Sequence, residues 1–189
     1  MGFRQAAVLS STCFFLGVLF ICLNVDYRVL FTPLTDDVVR DGFEFYTTFF
    51  HAPPAIKALM HAIMGVGIIG LIGKLVKMDE SAKWFDGSSL AAYIFALSVY
   101  LTVGLPASRT IATPVEGVDT REDQIEALQL LSAGNTIIIA LLGGVLFLQA
   151  GEEYARRAEA KELARFAELK KQENPAATTE TAGENKKDQ

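Results

Sequence analysis

The residues of this chain that could carry acid–base, nucleophilic or metal chemistry are few and poorly spaced for it. His51 and His61 are the only two histidines, and Cys13 and Cys22 the only cysteines. No His-based catalytic set and no metal cluster can be assembled from them. His61 follows Lys57 by one helical turn at the edge of an apolar segment, and a lone histidine there is read as structural. Cys13 and Cys22 are nine residues apart, which on a helix means opposite faces and about 13 Å of rise, so they cannot bond to each other. Gly65-Val66-Gly67-Ile68-Ile69-Gly70 has the form of a dinucleotide-binding turn, but no strand precedes it and its surroundings are apolar. The cofactor reading therefore fails, and no catalytic residue, cofactor or metal is expected.

The elements that would have to position these groups are of an unusual kind. The chain has 189 residues, 51% of them apolar, and the apolar residues come in blocks. Four segments are apolar all the way round for about 20 residues, the length that crosses the ~30 Å hydrocarbon of a bilayer. They run 6–25, 55–76, 89–106 and 125–150. In hydrocarbon each must satisfy its own backbone hydrogen bonds, so each is predicted to be a helix. The expected fold is an all-α integral membrane protein with four transmembrane helices. The first segment is kept as a span, because it is longer than a signal-peptide core and no small-x-small cleavage site follows it.

The net charge is −5, which gives no reason to expect a nucleic-acid partner; the lipid bilayer is the expected surroundings. The basic residues report topology instead. Arg4, then Lys74, Lys77 and Lys83, then Arg156, Arg157, Lys161, Arg165, Lys170, Lys171, Lys186 and Lys187 fall on one side. Arg28, Arg40, Arg109 and Arg121 fall on the other, and Lys57 is placed to snorkel at a span end. The positive-inside bias then puts both termini and the loop 77–88 in the cytosol, and the loops 26–54 and 107–124 in the lumen. No cysteine lies in those lumenal loops, which argues against a disulfide-stapled cell-surface protein.

Within the first lumenal loop, Asp26-Tyr27-Arg28 is read as extended and Thr35-Asp36-Asp37 as a helix start, a capping hydroxyl followed by acids. That helix should reach about Phe50, where Ala52-Pro53-Pro54 ends it and Pro54 opens the second span. Val39, Phe43, Tyr46 and Phe50 recur at helical spacing along it. The face they make suits either the membrane surface or packing on the protein's own spans. Thr120-Arg121-Glu122-Asp123 is a second cap, before the fourth span. After Gly151 a charged helix is expected over 152–171, supported by Glu152 with Arg156 and Glu153 with Arg157. The polar remainder, 172–189, is expected to be disordered.

The spans carry little mid-membrane chemistry. No Asp, Glu or Arg lies deep in the four segments as bounded here, where an enzyme or ion-coupled transporter would keep one. Gly65, Gly67, Gly70 and Gly73 with Ala58 and Ala62, and Ala140 with Gly144, offer small-residue faces for close helix packing, internal or with another protein. Ser98, Thr102, Asn135 and Thr136 can hydrogen-bond across helices. A small transporter or channel remains the alternative; it would need a hydrated polar path.

The last residues are Lys186-Lys187-Asp188-Gln189. Lysines four and three places from a carboxyl terminus resemble the dilysine signal by which the COPI coat returns proteins to the endoplasmic reticulum.

Several segments, in order, resemble one family. They are Phe15-Leu16-Gly17-Val18-Leu19-Phe20, Asp26-Tyr27, Pro33-Leu34-Thr35, Ala52-Pro53, His61, Phe85-Asp86-Gly87-Ser88, Asn135-Thr136 and Leu148-Gln149-Ala150-Gly151 with Tyr154. The chain resembles, from about Cys13 to Tyr154, the Shr-type packaging chaperones of the fungal endoplasmic reticulum. The resemblance implies a non-enzymatic membrane domain that shields amino acid permeases while they fold, and a tail that favours their loading into COPII vesicles. With the small-residue faces it nominates Tyr27, Pro33, Leu34, Thr35, Phe43, Tyr46, His61, Gly65, Gly70 and Asn135 as client contacts.

Overall fold

The computed structural model describes residues 2–76 and 80–173, with side chains except at 80–83 and 171–173. Every regular element among them is helical: α1 Phe3–Phe31, α2 Asp36–Phe50, α3 Pro54–Leu75, α4 Glu80–Val99, a π-helical turn Tyr100–Gly104, α5 Leu105–Ala112 and α6 Arg121–Glu173. Four helical stretches are long and apolar enough to cross a membrane: Phe3–Phe31, Pro54–Leu75, Trp84–Ala112 and Arg121–Lys170. The all-α, four-span architecture is thus observed. The chain divides into two compact units, Met1–Gln149 and Ala150–Gln189.

Two helix ends lie beyond the sequence boundaries, for physical reasons. α1 continues through Asp26-Tyr27-Arg28 rather than turning extended, and stops before Thr32-Pro33, where proline excludes helical geometry from its predecessor. The third span passes through Pro106 to Ala112. Proline lacks an N–H and its ring crowds the carbonyl four residues back; the π turn just before it widens the backbone at that point. α4 also begins ahead of the expected span, at Glu80 rather than 89, whereas three helix starts fall where local capping chemistry puts them. The Thr35 hydroxyl accepts from the Val38 amide at the start of α2. Pro54 opens α3. At the start of α6 Thr120 and Asp123 cap each other, with Thr120 N and Oγ1 each 2.8 Å from Asp123 Oδ2.

The first unit has two apolar clusters. One gathers Val8, Leu71, Tyr93, Ile138, Leu142 and Val145; the other gathers Val29, Val38, Tyr46, Ala107, Ile111 and Leu128. Hydrocarbon outside is as apolar as these side chains, so within the spans packing and interhelical hydrogen bonds carry the cohesion. α2 contributes by turning Val38, Val39 and Tyr46 inward. Its apolar face therefore packs on the protein's own helices. A Cβ at Gly42 would stand 2.8 Å from Leu128 Cδ2, so glycine sets the approach of α2 to α6.

In the second unit the helix continues to Glu173. Glu153 accepts from Arg157 Nε at 2.8 Å and also pairs with Arg156, the four-residue spacing expected for one of the two pairs. Leu163, Phe166 and Leu169 are exposed. The stretch expected to be disordered falls, from 174 on, outside the described residues.

Candidate functional site

Two buried polar clusters and one cavity distinguish the first unit. Asp26, on α1, is fully buried. It accepts from the Tyr46 hydroxyl of α2 on Oδ1 and from Asn135 Nδ2 of α6 on Oδ2 at 3.0 Å, and Asn135 Nδ2 also donates to Tyr46 Oη at 2.9 Å. Three helices are thereby tied at one carboxylate. Burial, and next the Asp26 charge, raise the pKa of the Tyr46 hydroxyl, so it stays a donor. Outside the span boundary at Val25, Asp26 looked like a loop residue; as part of α1 it is a buried ionisable residue of a spanning helix. Its partners explain this, because a carboxylate can remain inside only when donors meet it.

The second cluster joins α3, α4 and α6. Lys74 Nζ lies 2.8 Å from Asp86 Oδ1 and donates to Gln149 Oε1 at 2.6 Å. Gln149 Nε2 in turn reaches Asp86 Oδ1 at 3.2 Å and Ser89 Oγ at 3.1 Å. Asn135 and Gln149, one in each cluster, are 14 residues apart on α6, about 21 Å by helical rise. Polar layers so spaced bracket an apolar middle.

In that middle lies a cavity of about 110 Å³. Leu19 and Cys22 reach it from α1, Met60, His61 and Met64 from α3, Tyr100 and Gly104 from the π turn, and Asn135 and Ile138 from α6. The π turn belongs to the site, as such turns often do. His61 is exposed at its edge, with Nδ1 2.7 Å from Lys57 O and its ring 6.3 Å from that of Tyr100.

The nominated residues are scattered. Tyr46 and Asn135 are buried in the Asp26 cluster, whereas Tyr27, Pro33, Leu34 and Thr35 are exposed at the α1–α2 turn. Phe43 packs on the neighbouring apolar cluster beneath the Arg121 guanidinium, 4.3 Å from its ring centre. Gly70 is buried against α1, where a Cβ would stand 3.0 Å from Val8 Cγ2 and 3.2 Å from Arg4 O. A Cβ at Gly65 would meet nothing within 4 Å, and the same holds at Gly144. On α3 the close glycine contacts are therefore those of Gly67 with α4 and α1, and of Gly70 and Gly73 with α1. Lys57 lies over the Phe50 ring at 5.1 Å. Ser98, Thr102 and Thr136 turn their hydroxyls back to carbonyls four residues earlier; of that set Asn135 crosses between helices. Lys186 and Lys187 lie outside the described residues.

Sequence reasoning missed Asp26, Gly42 and the Lys74, Asp86 and Gln149 cluster. Asp26, Asp86 and Gln149 were visible as parts of quoted segments, but their pairing across helices had no local signal. Over residues 1–188 the chain matches the family model of SHR3 chaperones, described as ER membrane protein SH3. No curated protein and no solved structure matches it.

Proposed function

This chain belongs to the SHR3 chaperone family of ER membrane proteins, and we propose that it is a chaperone for amino acid permeases, assisting their folding and their COPII-dependent exit from the endoplasmic reticulum. The observation that carries this reading is the family match along nearly the whole chain. The architecture supports it: four spanning-length helices line a largely apolar cavity, which suits a protein that receives apolar surface better than one that conducts a solute. On this reading the client contacts lie among the exposed candidates, Tyr27, Pro33, Leu34 and His61, and on the open side of Gly65.

Both termini and the loop 77–88 face the cytosol in this proposal, because the basic residues concentrate there. Lys186 and Lys187 then serve as a COPI-read retrieval signal for a helper that cycles out. The test is to purify the tagged full chain in mild detergent and identify what travels with it. Amino acid permeases should be enriched over other polytopic proteins, and their export should fall when the chain is removed. Equal recovery of unrelated membrane proteins, with permease export unchanged, would refute client selectivity. An engineered glycosylation site used in the loop 77–88 would refute the orientation.

A further inference from the structure

The central cavity has two chemically different ends. At one end stands Asn135, whose amide N–H groups go to Asp26 Oδ2 and Tyr46 Oη. The carboxylate fixes the amide's orientation, since only the NH2 side can donate to it. Asn135 Oδ1 is therefore turned away from Asp26, and among the described residues it accepts no hydrogen bond. Yet Asn135 is only 9% exposed, and it lines the cavity. An amide acceptor left unmet in hydrocarbon is costly. One and two turns further along α6, Ile138 and Leu142 line the same space, with Phe15 on α1, so the other end is hydrocarbon. The open side is at His61, which is exposed, and Tyr100, which is half-buried and whose hydroxyl also has no hydrogen-bond partner among the described residues.

Such a cavity selects an amphiphile with one small donor. Its size, about 110 Å³, is close to that of protein cavities on the order of 150 Å³ that hold one benzene ring. Neither lysine nor arginine lines the cavity, so a phosphate or carboxylate head would enter without a fixed cation to meet it, which disfavours both. An acyl chain end fits the volume but has no hydrogen to donate. The geometry points to a sterol-binding site: the hydroxyl-bearing ring enters the cavity, the hydroxyl donates to Asn135 Oδ1, and the remaining rings lie on the open side against the bilayer. The cavity is the one that supports the client reading, but the test uses no client, so failure of the sterol assignment and failure of that reading are distinguishable.

The full chain is reconstituted into phosphatidylcholine vesicles with a cholesterol analogue carrying a ring diazirine and a tail alkyne, irradiated, and its adducts mapped by peptide mass spectrometry. Saturable adducts are expected on the segments holding Met60 to Met64 and Leu97 to Gly104, displaced by unlabelled cholesterol. The epimer with inverted hydroxyl should compete about fivefold more weakly, the loss of one hydrogen bond. Leu97 on α4 also lines the cavity and makes none of the Asp26 hydrogen bonds; Leu97→Trp, which narrows the space, should lower saturable labelling about tenfold. Ile69→Trp, at an exposed position on the same bundle, should leave it unchanged and controls for folding. Uniform, non-displaceable adducts on lipid-facing residues such as Ile69 and Phe147 would overturn the assignment. So would labelling indifferent to Leu97→Trp, equal competition by the epimer, or equal labelling of the same segments by a diazirine-bearing acyl chain of phosphatidylcholine.

Discussion

Replacing Gly67 by Ala adds one methyl group at the tightest of the described glycine positions. A Cβ there would stand 2.5 Å from Tyr93 Oη, 2.6 Å from Ser11 Oγ and 2.8 Å from Tyr93 Cζ. These atoms cannot simply swing aside. Ser11 Oγ is 2.8 Å from Tyr93 Oη and donates to Ile63 O at 2.8 Å, and Ser11 and Tyr93 are both buried. The methyl must part α3 from α1 and α4 or break those bonds. Overpacking costs about 1–3 kcal/mol and a lost hydrogen bond about 1 kcal/mol, so about 2–4 kcal/mol is expected in all. Gly65→Ala is the matched control: its Cβ meets nothing within 4 Å, and the gain in helix propensity is at most about 1 kcal/mol. The assay uses Cys22, which is 4% exposed, in a Cys13→Ser background, Cys13 being exposed. Alkylation of Cys22 is followed as sodium dodecyl sulfate is titrated into mixed micelles, and the midpoints are converted to free-energy differences. Tyr93→Phe should recover part of the loss, because it removes the nearest atom while the ring carbon at 2.8 Å remains. Should Gly67→Ala fall within about 0.5 kcal/mol of the parent, the range of an ordinary surface change, or Gly65→Ala cost as much, the packing argument is wrong.

Three further outcomes are expected. Asn135→Leu leaves the buried Asp26 carboxylate with Tyr46 as its remaining donor and should cost about 1–3 kcal/mol in the same titration, with most of it recovered by Asp26→Leu in the double variant; a fully additive double variant would show that the two side chains do not interact. Lys74→Met leaves Asp86 without its cation and should destabilise by about 3–5 kcal/mol, whereas Lys74→Met with Asp86→Leu should be far milder; equal losses in the single and double variants would count against a coupled pair. Replacing Lys186 and Lys187 by Ser, on a surface-bound reporter carrying residues 152–189, should speed arrival at the cell surface, and equal arrival times would reject the retrieval proposal.

What the sequence by itself determined is whatever one helix carries along its own length. Uniformly apolar runs near the thickness of a bilayer gave four spans, because the backbone has no other way to satisfy itself in hydrocarbon. Thr35, Pro54 and the pair Thr120 with Asp123 marked helix starts within a residue or two, since capping is local chemistry. The ordered motifs from Phe15 to Tyr154 located the family. Tertiary structure decided which residues meet. Asp26 lay one residue past the apolar run and belonged to the bundle only because Tyr46 and Asn135, distant in sequence, converge on it. Four glycines on α3 looked alike, yet a side chain would collide at Gly67 and meet open space at Gly65. Those two are two residues apart, about 200° around the helix, so facing α1 with one turns the other away. The π turn at Tyr100–Gly104 precedes Pro106 within the third span and brings Tyr100 and Gly104 to the cavity wall; neither residue type nor spacing announces such a turn, because it depends on what packs beside it.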